Sequence, residues 1–218
     1  RGLGDVYKRQ SLYYLLDMGS KNIHQRLVIV TIVLISIAVI ASVSYLGGKK
    51  QKPATIDIEK NPTIGLSNAP VHMVLFEDLL CYNCRLFSHN VLPEIKKNYI
   101  DTGKVKCTII LLAFMKGSQF PANAALCVNK TNPGKFYEFM QKLHDFQAED
   151  EKDWESKSNL IQIASDVGDI DLLQLRLCIR QKSCYDELQR NMEVAKKTMG
   201  KNFGTPAVYI NGKPMGSL

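Results

Sequence analysis

The pattern of apolar and polar residues predicts two buried strands separated by a helix. Residues 71–76 form a short apolar run rich in β-branched and aromatic residues, and residues 105–112 form a second one. Between them, residues 83–100 carry apolar side chains at helical spacing. Pro93 lies within this helical pattern and predicts a kink, because proline lacks the N–H that a helix interior needs.

The rest of the pattern predicts a helical block followed by a return to the sheet. Helical spacing recurs over five stretches, residues 119–128, 135–147, 159–167, 171–180 and 185–199. Residues 207–210 have strand character, and Asn211-Gly212 after them is typical of a hairpin turn, because both positions must accept positive φ. The order of strand, helix, strand, helical block and strand hairpin indicates the α/β class.

A run of 20 residues without a charge, residues 27–46, predicts a transmembrane helix. Lys21 and Arg26 precede the run, which favours a cytoplasmic N-terminus and an exported main domain, although three lysines soon after the run oppose this orientation. A buried core helix and a cleaved signal peptide are the alternative interpretations. We expect an uncleaved signal anchor over residues 18–46.

The first residues have a foreign character. Residues 5–10, DVYKRQ, resemble the translation of a transposon end used to prepare sequencing libraries. We therefore expect residues 1–10 to be an adapter scar and residues 1–17 to be a non-native leader, with Met18 as the start. Residues 47–60 are polar and predict a tether to a domain that spans residues 61–218.

Composition and charge argue against several classes of function. The chain has 218 residues, of which 45% are hydrophobic and 22% are charged, and this suits one compact domain plus an attachment segment. The net charge of +7 is spread among acidic residues without a dense basic tract, so no nucleic-acid partner is expected. The sequence contains neither a glycine-rich phosphate loop nor a Ser/His/Asp arrangement, and His72, His89 and His144 are expected to be structural or surface residues.

The clearest chemical motif is Cys81-Tyr82-Asn83-Cys84, at the predicted junction of a strand and a helix. The start of a helix offers free N–H groups and partial positive charge, which stabilise a thiolate on Cys81. The two-residue spacer brings Cys84 within reach of a disulfide, so Cys81 is the predicted nucleophile and Cys84 the predicted resolving cysteine. A zinc site is the alternative, but its nearest further ligand, His89, would lie about 140° round the helix from Cys84.

Several other segments extend this motif into a wider match. They are Asn61-Pro62, Gly65, Ala69-Pro70-Val71, Phe76, Asp78, Val91-Leu92-Pro93, residues 99–105 and residues 204–213. With the Cys81–Cys84 pair, they resemble the DsbA-like thiol:disulfide oxidoreductases of the thioredoxin superfamily from about Asn61 to the end of the chain.

This resemblance implies a thioredoxin fold with a helical domain inserted at about residues 119–199, and a final helix that is missing after Leu218. It also implies a cis peptide bond between Thr205 and Pro206, in a loop that faces the cysteine pair and contacts the substrate backbone. No cofactor is expected besides the Cys81–Cys84 disulfide. The implied partners are reduced or misoxidised envelope proteins and a membrane redox protein similar to DsbB, VKOR or DsbD. The catalytic domain is expected on the extracytoplasmic side of a bacterial inner membrane.

Four further cysteines, Cys107, Cys127, Cys178 and Cys184, can pair fully in three ways. The resemblance implies a structural disulfide between Cys127 and Cys178, because some relatives join such helices. A Cys178–Cys184 bond would require the helix to break near residues 182–183, since Cα atoms six residues apart in one helix are about 9 Å apart. Cys107 is most simply a small buried thiol.

The spacer Tyr82-Asn83 is neither the Pro-His of strong oxidants nor the Gly-Pro of reductants, so the sequence leaves the direction of catalysis open between oxidase, reductase and isomerase. An oxidase is favoured over an isomerase, because residues 47–61 leave no room for an N-terminal dimerisation domain. Two other classes of function remain as alternatives. One is a module that binds or delivers soft metals through Cys81 and Cys84, and the other is a chaperone-like peptide-binding domain.

Overall fold

The computed structural model describes residues 26–42, 53–148 and 156–216 of the chain. The chain divides into two compact units, Arg1–Gln51 and Lys52–Leu218. In the first unit, residues 26–42 form helix α1, and their side chains are exposed. Within the three described ranges, no helix is both long and apolar enough to cross a membrane. The predicted leader, the proposed start at Met18, residues 18–25 and 43–46 of the predicted anchor and residues 47–52 of the predicted tether lie outside the described residues.

A five-stranded sheet forms the centre of the second unit. Its strands are β1 (Thr63–Ile64), β2 (Val71–Asp78), β3 (Val105–Leu112), β4 (Ala207–Ile210) and β5 (Lys213–Pro214). The strand order is β1-β3-β2-β4-β5, in which β2 and β3 are parallel and the other neighbours are antiparallel. The predicted strands and the hairpin after residue 210 are therefore confirmed, whereas β1 has only two residues and no pattern in the sequence predicted it.

Seven helices accompany this sheet in the described residues. They are α2 (Tyr82–Asn90), α3 (Leu92–Ile95), α4 (Gln119–Thr131), α5 (Phe136–Ala148), α6 (Lys157–Val167), α7 (Leu172–Gln181) and α8 (Tyr185–Met199). Helices α4 to α8 lie between β3 and β4, so the expected helical insert is confirmed. The predicted kink at Pro93 is a break: α2 ends at Asn90, α3 restarts at Leu92, and a π-helical turn over Lys96–Ile100 follows it.

Both faces of β2 are buried, which explains why its sequence is a continuous apolar run. Met73 and Leu75 belong to a large core that includes side chains of the insert helices. Val74 and Phe76 point to the opposite face, where Ala195 of α8 belongs to a second, smaller core. Strand β2 is thus packed on both faces, and its C-terminal end positions the turn that follows at residues 79–81.

The folded domain begins before residue 61. The Ala54 N–H donates to the Gly212 carbonyl over 2.8 Å. Ile56 and Ile58 are partly buried against the smaller core, while Asp57 between them is exposed. The segment predicted as a tether over residues 47–60 is therefore held by the domain from Ala54 onward, through an alternation of apolar and polar residues that is too short to stand out in the sequence.

Candidate active site

A tight turn after β2 sets the position of Cys81. The Cys81 N–H donates to the Asp78 carbonyl over 2.9 Å. Helix α2 begins at the next residue, and Cys81 is its N-cap, with an extended backbone. In this position the side chain faces the free N–H groups of the first helical turn, which usually bond to a capping oxygen. The sulfur of Cys81 belongs to the residue at this capping position, although as a thiol it makes no capping hydrogen bond.

The carboxylate of Asp78 holds this turn to the loop that follows β3. One carboxylate oxygen accepts from the Leu80 N–H over 2.9 Å. The other accepts from the N–H groups of Phe114 and Met115 and from the Ser118 hydroxyl, over 3.0, 3.2 and 2.8 Å. Asp78 is fully buried, and four donors satisfy its carboxylate, which has no ion-pair partner among the described residues. It is a positioning residue beneath Cys81.

The environment of Cys81 favours its thiolate. The pKa of Cys81 is lowered to about 5, chiefly by a hydrogen bond from the Cys84 thiol, while partial burial opposes the shift. Thr205 and the backbone N–H groups of Cys84 and Asn83 lower the pKa further. At neutral pH the reduced protein therefore carries a half-exposed thiolate at the start of α2.

Cys84 lies one turn deeper and has the opposite character. Its side chain is fully buried. Burial raises the pKa of Cys84, and the hydrogen bond to Cys81 and the negative charge of Glu77 raise it further. The two sulfurs thus differ in access and in protonation: Cys81 meets other molecules, and Cys84 stays protonated beneath it.

The loop before β4 brings Thr205 and Pro206 to this pair. The Thr205–Pro206 peptide bond is cis, as the resemblance implied. The Cys81 thiol donates to the Thr205 carbonyl over 3.5 Å. The Thr205 hydroxyl is buried and has no hydrogen-bond partner among the described residues, which leaves it available to a thiolate on Cys81.

A buried acid and a histidine beneath the site were not predicted as functional residues. Glu77 and His144 are both fully buried, and Glu77 Oε2 lies 3.7 Å from His144 Nε2. None of their side-chain nitrogen and oxygen atoms makes a hydrogen bond within the described part of the chain. The signal that could have found Glu77 is a charged residue at the end of an otherwise apolar strand. His144 lies in α5, far from Glu77 in the sequence, and no sequence pattern indicated its contact with Glu77.

The structure joins Cys127 of α4 to Cys178 of α7 in a disulfide, with the Cα atoms 5.9 Å apart. Cys107 is a buried free thiol. Cys184 is also free and fully buried, and its sulfur lies 3.8 Å from that of Cys127. This proximity was not predicted, although the helix does break at Lys182, where the backbone is left-handed.

The zinc interpretation of the Cys81–Cys84 pair finds no further ligands in the part of the chain that the structure describes. There, the one group of three or more His, Cys, Asp or Glu side chains close enough to hold a metal ion consists of Cys127, Cys178 and Cys184. His89 instead lies 3.5 Å from Asp145.

Comparisons with known proteins agree with this geometry. The family model described as thioredoxin matches residues 57–217. The probable disulfide bond formation protein D of Bacillus cereus is 31% identical over 183 residues, which cover 83% of each chain. The crystal structure of oxidised BdbD from Bacillus subtilis superposes with a TM-score of 0.68 at 28% identity, covering 76% of this chain and 89% of that one.

A second solved structure, DsbA of Chlamydia trachomatis, superposes with a TM-score of 0.65 at 26% identity and covers 77% of this chain and 89% of its own. The sheet with its helical insert, the Cys81–Cys84 pair at the start of α2 and these relatives all lead to the same family. This chain belongs to the thioredoxin family, in its DsbA-like group, and is a protein disulfide oxidoreductase.

Proposed function

We propose that this protein is a membrane-anchored oxidase that passes the Cys81–Cys84 disulfide to reduced cysteine pairs in proteins of the bacterial envelope. The observation that carries the proposal is the half-exposed Cys81 at the start of α2 above a fully buried Cys84, an arrangement that lowers the pKa of Cys81 to about 5. A stabilised thiolate stabilises the reduced enzyme, and an enzyme that is stable when reduced is a strong oxidant.

The reaction follows from the different access of the two sulfurs. A substrate thiolate attacks the half-exposed Cys81, and Cys84 leaves with the electron pair of the broken disulfide and takes up a proton. A second substrate thiolate then attacks the substrate sulfur of the mixed disulfide. Cys81 leaves as the stabilised thiolate, and the substrate gains its disulfide. In the reverse direction Cys81 attacks a substrate disulfide and Cys84 resolves the intermediate.

The surroundings of Cys81 suit an unfolded peptide chain. Phe114 is 43% exposed and belongs to the loop that Asp78 holds next to the active-site turn. Its ring packs edge-to-face on the ring of Phe203, with the centroids 5.5 Å apart. Phe203 lies two residues before Thr205 in the sequence. Partly exposed aromatic rings on the two loops that carry Phe114 and Thr205 offer apolar contact to a substrate segment that lacks fixed structure. In this proposal, Thr205 and Pro206 contact the substrate backbone.

The proposed location rests on the apolar run of residues 27–46, of which the part within residues 26–42 is helical. We propose that this segment anchors the domain in the inner membrane, with the catalytic domain outside the cytoplasm. An oxidase must be reoxidised after each turnover, so a membrane partner similar to DsbB or VKOR would accept the electrons. A DsbD-like partner would serve the opposite, reductive direction.

The function is tested by exchange with a reduced peptide that contains two cysteines. Cys81→Ser should abolish formation of the peptide disulfide, whereas Cys107→Ala, which removes a buried thiol outside the site, should retain it. Full activity of the Cys81→Ser variant would refute the mechanism. Equilibration of the wild-type Cys81–Cys84 pair against a series of glutathione ratios then gives its reduction potential, which distinguishes an oxidase from a reductase. A potential near that of thioredoxin would indicate a reductase, and a much higher potential would indicate the proposed oxidase.

A further inference from the structure

A third sulfur lies beside the disulfide of the helical insert. The Sγ atom of Cys184 is 3.8 Å from Cys127 Sγ, and the sulfurs of Cys127, Cys178 and Cys184 all lie within 4.8 Å of one another. Cys184 is fully buried, whereas Cys178 is only partly buried. A free thiol next to a disulfide provides the two reacting groups of thiol–disulfide exchange.

The turn between α7 and α8 is fixed to helix α4 on both sides of Cys127. The Cys184 N–H donates to Asn123 Oδ1 over 3.1 Å, one helical turn before Cys127. Lys130 Nζ donates to the Ser183 carbonyl over 3.2 Å, one turn after Cys127. These two bonds hold Cys184 against the face of α4 that carries the disulfide, so the proximity of the sulfurs is anchored through the backbone.

Charged groups around Cys184 act in opposite directions. Burial raises the pKa of the Cys184 thiol, and the nearby Lys130 ammonium lowers it, while the carboxylate of Glu187 adds to the raising effect. Lys130 Nζ and Glu187 Oε2 are themselves 3.5 Å apart. The thiol is therefore protonated at neutral pH, and its reactive thiolate forms as the pH rises, next to a cation that stabilises it.

We propose that Cys184, Cys127 and Cys178 form a second thiol–disulfide exchange site, in which Cys184 displaces Cys178 from Cys127. Because Cys184 Sγ lies within 4.8 Å of Cys178 Sγ as well as 3.8 Å from Cys127 Sγ, the three sulfurs are not in line, and a side-chain rotation first brings Cys184 opposite the Cys127–Cys178 bond. The Cys184 thiolate then attacks Cys127 Sγ, the Cys127–Cys178 bond breaks, and a Cys127–Cys184 bond forms. Cys178 leaves with the electron pair and takes up, through solvent, the proton that Cys184 lost. The step involves no net oxidation and requires no other reactant.

The exchange changes two properties of the insert. Helix α4 becomes joined to the start of α8 in place of α7, and the free thiol moves from a buried position at Cys184 to a partly buried position at Cys178. A reagent of the glutathione class that cannot reach the first thiol would meet the second one. The insert would thus hold a masked thiol that is independent of the Cys81–Cys84 pair.

The first test uses a Cys81→Ser/Cys84→Ser background, so that its outcome does not depend on the proposed oxidase activity. The folded protein is incubated without oxidant or reductant at mildly alkaline pH, quenched in acid with an alkylating reagent and mapped by mass spectrometry. The exchange predicts peptides with Cys127–Cys184 and an alkylated Cys178, formed at a rate independent of protein concentration. Cys127–Cys178 as the sole bond at every time point would overturn the proposal.

The second test isolates the new bond. In a Cys178→Ser variant, oxidised glutathione should join Cys127 to Cys184 while the circular dichroism spectrum stays that of the parent. The matched Cys184→Ser variant should keep Cys127–Cys178 and show no exchange. A folded Cys178→Ser protein that retains two free thiols at Cys127 and Cys184 would refute the site directly.

Lys130 both donates to the Ser183 carbonyl and stabilises the Cys184 thiolate, and the pH dependence of the exchange separates the two roles, because only loss of the charge moves the rate profile to higher pH. Lys130→Met should lower the thiolate fraction of Cys184 about tenfold and slow the exchange about threefold at neutral pH, because a less acidic thiol is also a better nucleophile. Lys130→Arg keeps the charge and should keep the rate. Equal rates in all three proteins at every pH would show that the cation has no part in the exchange and would remove this support for the site.

Discussion

The low pKa of Cys81 predicts how the oxidising power of the enzyme depends on pH. The reduced pair has its thiolate on Cys81, stabilised by the Cys84 thiol, by Thr205 and by the N–H groups of Cys84 and Asn83. The oxidised pair has no titrating group. A pKa lowered from near 9 to about 5 therefore stabilises the reduced fold fully above about pH 9, and this stabilisation declines as the pH falls from 9 to 5 and is lost below pH 5.

The magnitude follows from counting protons. Above pH 5 the reduced pair keeps one proton, on Cys84, whereas the two glutathione molecules that reduce it bring two. One proton is released per turnover, so the equilibrium constant for reduction of the enzyme by glutathione should fall about tenfold for each pH unit lost, or about 30 mV of relative potential. From about pH 8 to about pH 6 the loss should be about a hundredfold, and below the pKa of Cys81 the constant should level off.

Thr205 supplies a matched perturbation of the same thiolate. Thr205→Val keeps the shape of the side chain and removes a hydroxyl that lowers the pKa of Cys81. A hydrogen bond to a charged group contributes about 1.5 kcal/mol at the low end, which suits a half-exposed sulfur, and its loss should lower the ratio of thiolate to thiol on Cys81 about tenfold, so that the titration midpoint moves to higher pH. Thr205→Ser keeps the hydroxyl and is the control.

The assay is the ultraviolet absorbance of the thiolate in the reduced protein as a function of pH, with the glutathione equilibrium measured by alkylation over the same range. The wild type and Thr205→Ser should titrate near pH 5 and lose the transition when Cys81 is replaced by Ser. Thr205→Val should titrate higher and be easier to oxidise. A midpoint near the ordinary pKa of a thiol, or an equilibrium constant with glutathione that does not change between pH 6 and pH 8, would refute the reasoning.

Three further predictions concern the turn, its support and the insert. Asn83→Pro removes a backbone N–H that lowers the pKa of Cys81 and should make the enzyme less oxidising in a glutathione titration, while Asn83→Ala, which keeps that N–H, should not. Asp78→Ala leaves four donors without their acceptor and should lower the free energy of unfolding in urea by about 3 to 5 kcal/mol; an unchanged midpoint would contradict its structural role. Cys127→Ala/Cys178→Ala opens a bond between positions 51 residues apart and should cost about 2 to 4 kcal/mol by the same measurement, against no loss if the bond does not constrain the unfolded chain.

Local patterns were enough to predict most of the architecture. Apolar runs and helical spacing are properties of neighbouring residues, so β2, β3 and the five insert helices could be predicted from them, and Pro93 marked the break between α2 and α3. The chemistry of Cys81 was predictable for the same reason, because a cysteine at the N-cap of a helix is next to free N–H groups whatever the rest of the fold is.

Features that depend on distant residues could not be predicted in this way. The two-residue strand β1 exists because it pairs with β3, and the segment after Ala54 is ordered because it reaches Gly212. The contact of Glu77 with His144, and that of Cys184 with Cys127, join positions more than 50 residues apart. No periodicity encodes such a contact, since it arises only when the helices of the insert pack.

The spacer Tyr82-Asn83 does not indicate whether the enzyme oxidises or reduces its substrates. The structure of the site explains why these two side chains have little influence on the Cys81 thiolate. The groups that lower the pKa of Cys81 are the Cys84 thiol, Thr205 and two backbone N–H groups, and the side chains of Tyr82 and Asn83 are not among them. The Tyr82 ring is 60% exposed and stacks with the Arg85 guanidinium, 4.9 Å from its centroid. Thiolate stability therefore derives from how the turn presents its backbone and from the Thr205 loop. Both act on the reduced state alone, because a disulfide sulfur carries no charge for them to stabilise. A site that stabilises its reduced form in this way readily transfers its disulfide to a substrate. For this reason we expect an oxidase, although the spacer Tyr82-Asn83 is not that of the known strong oxidants.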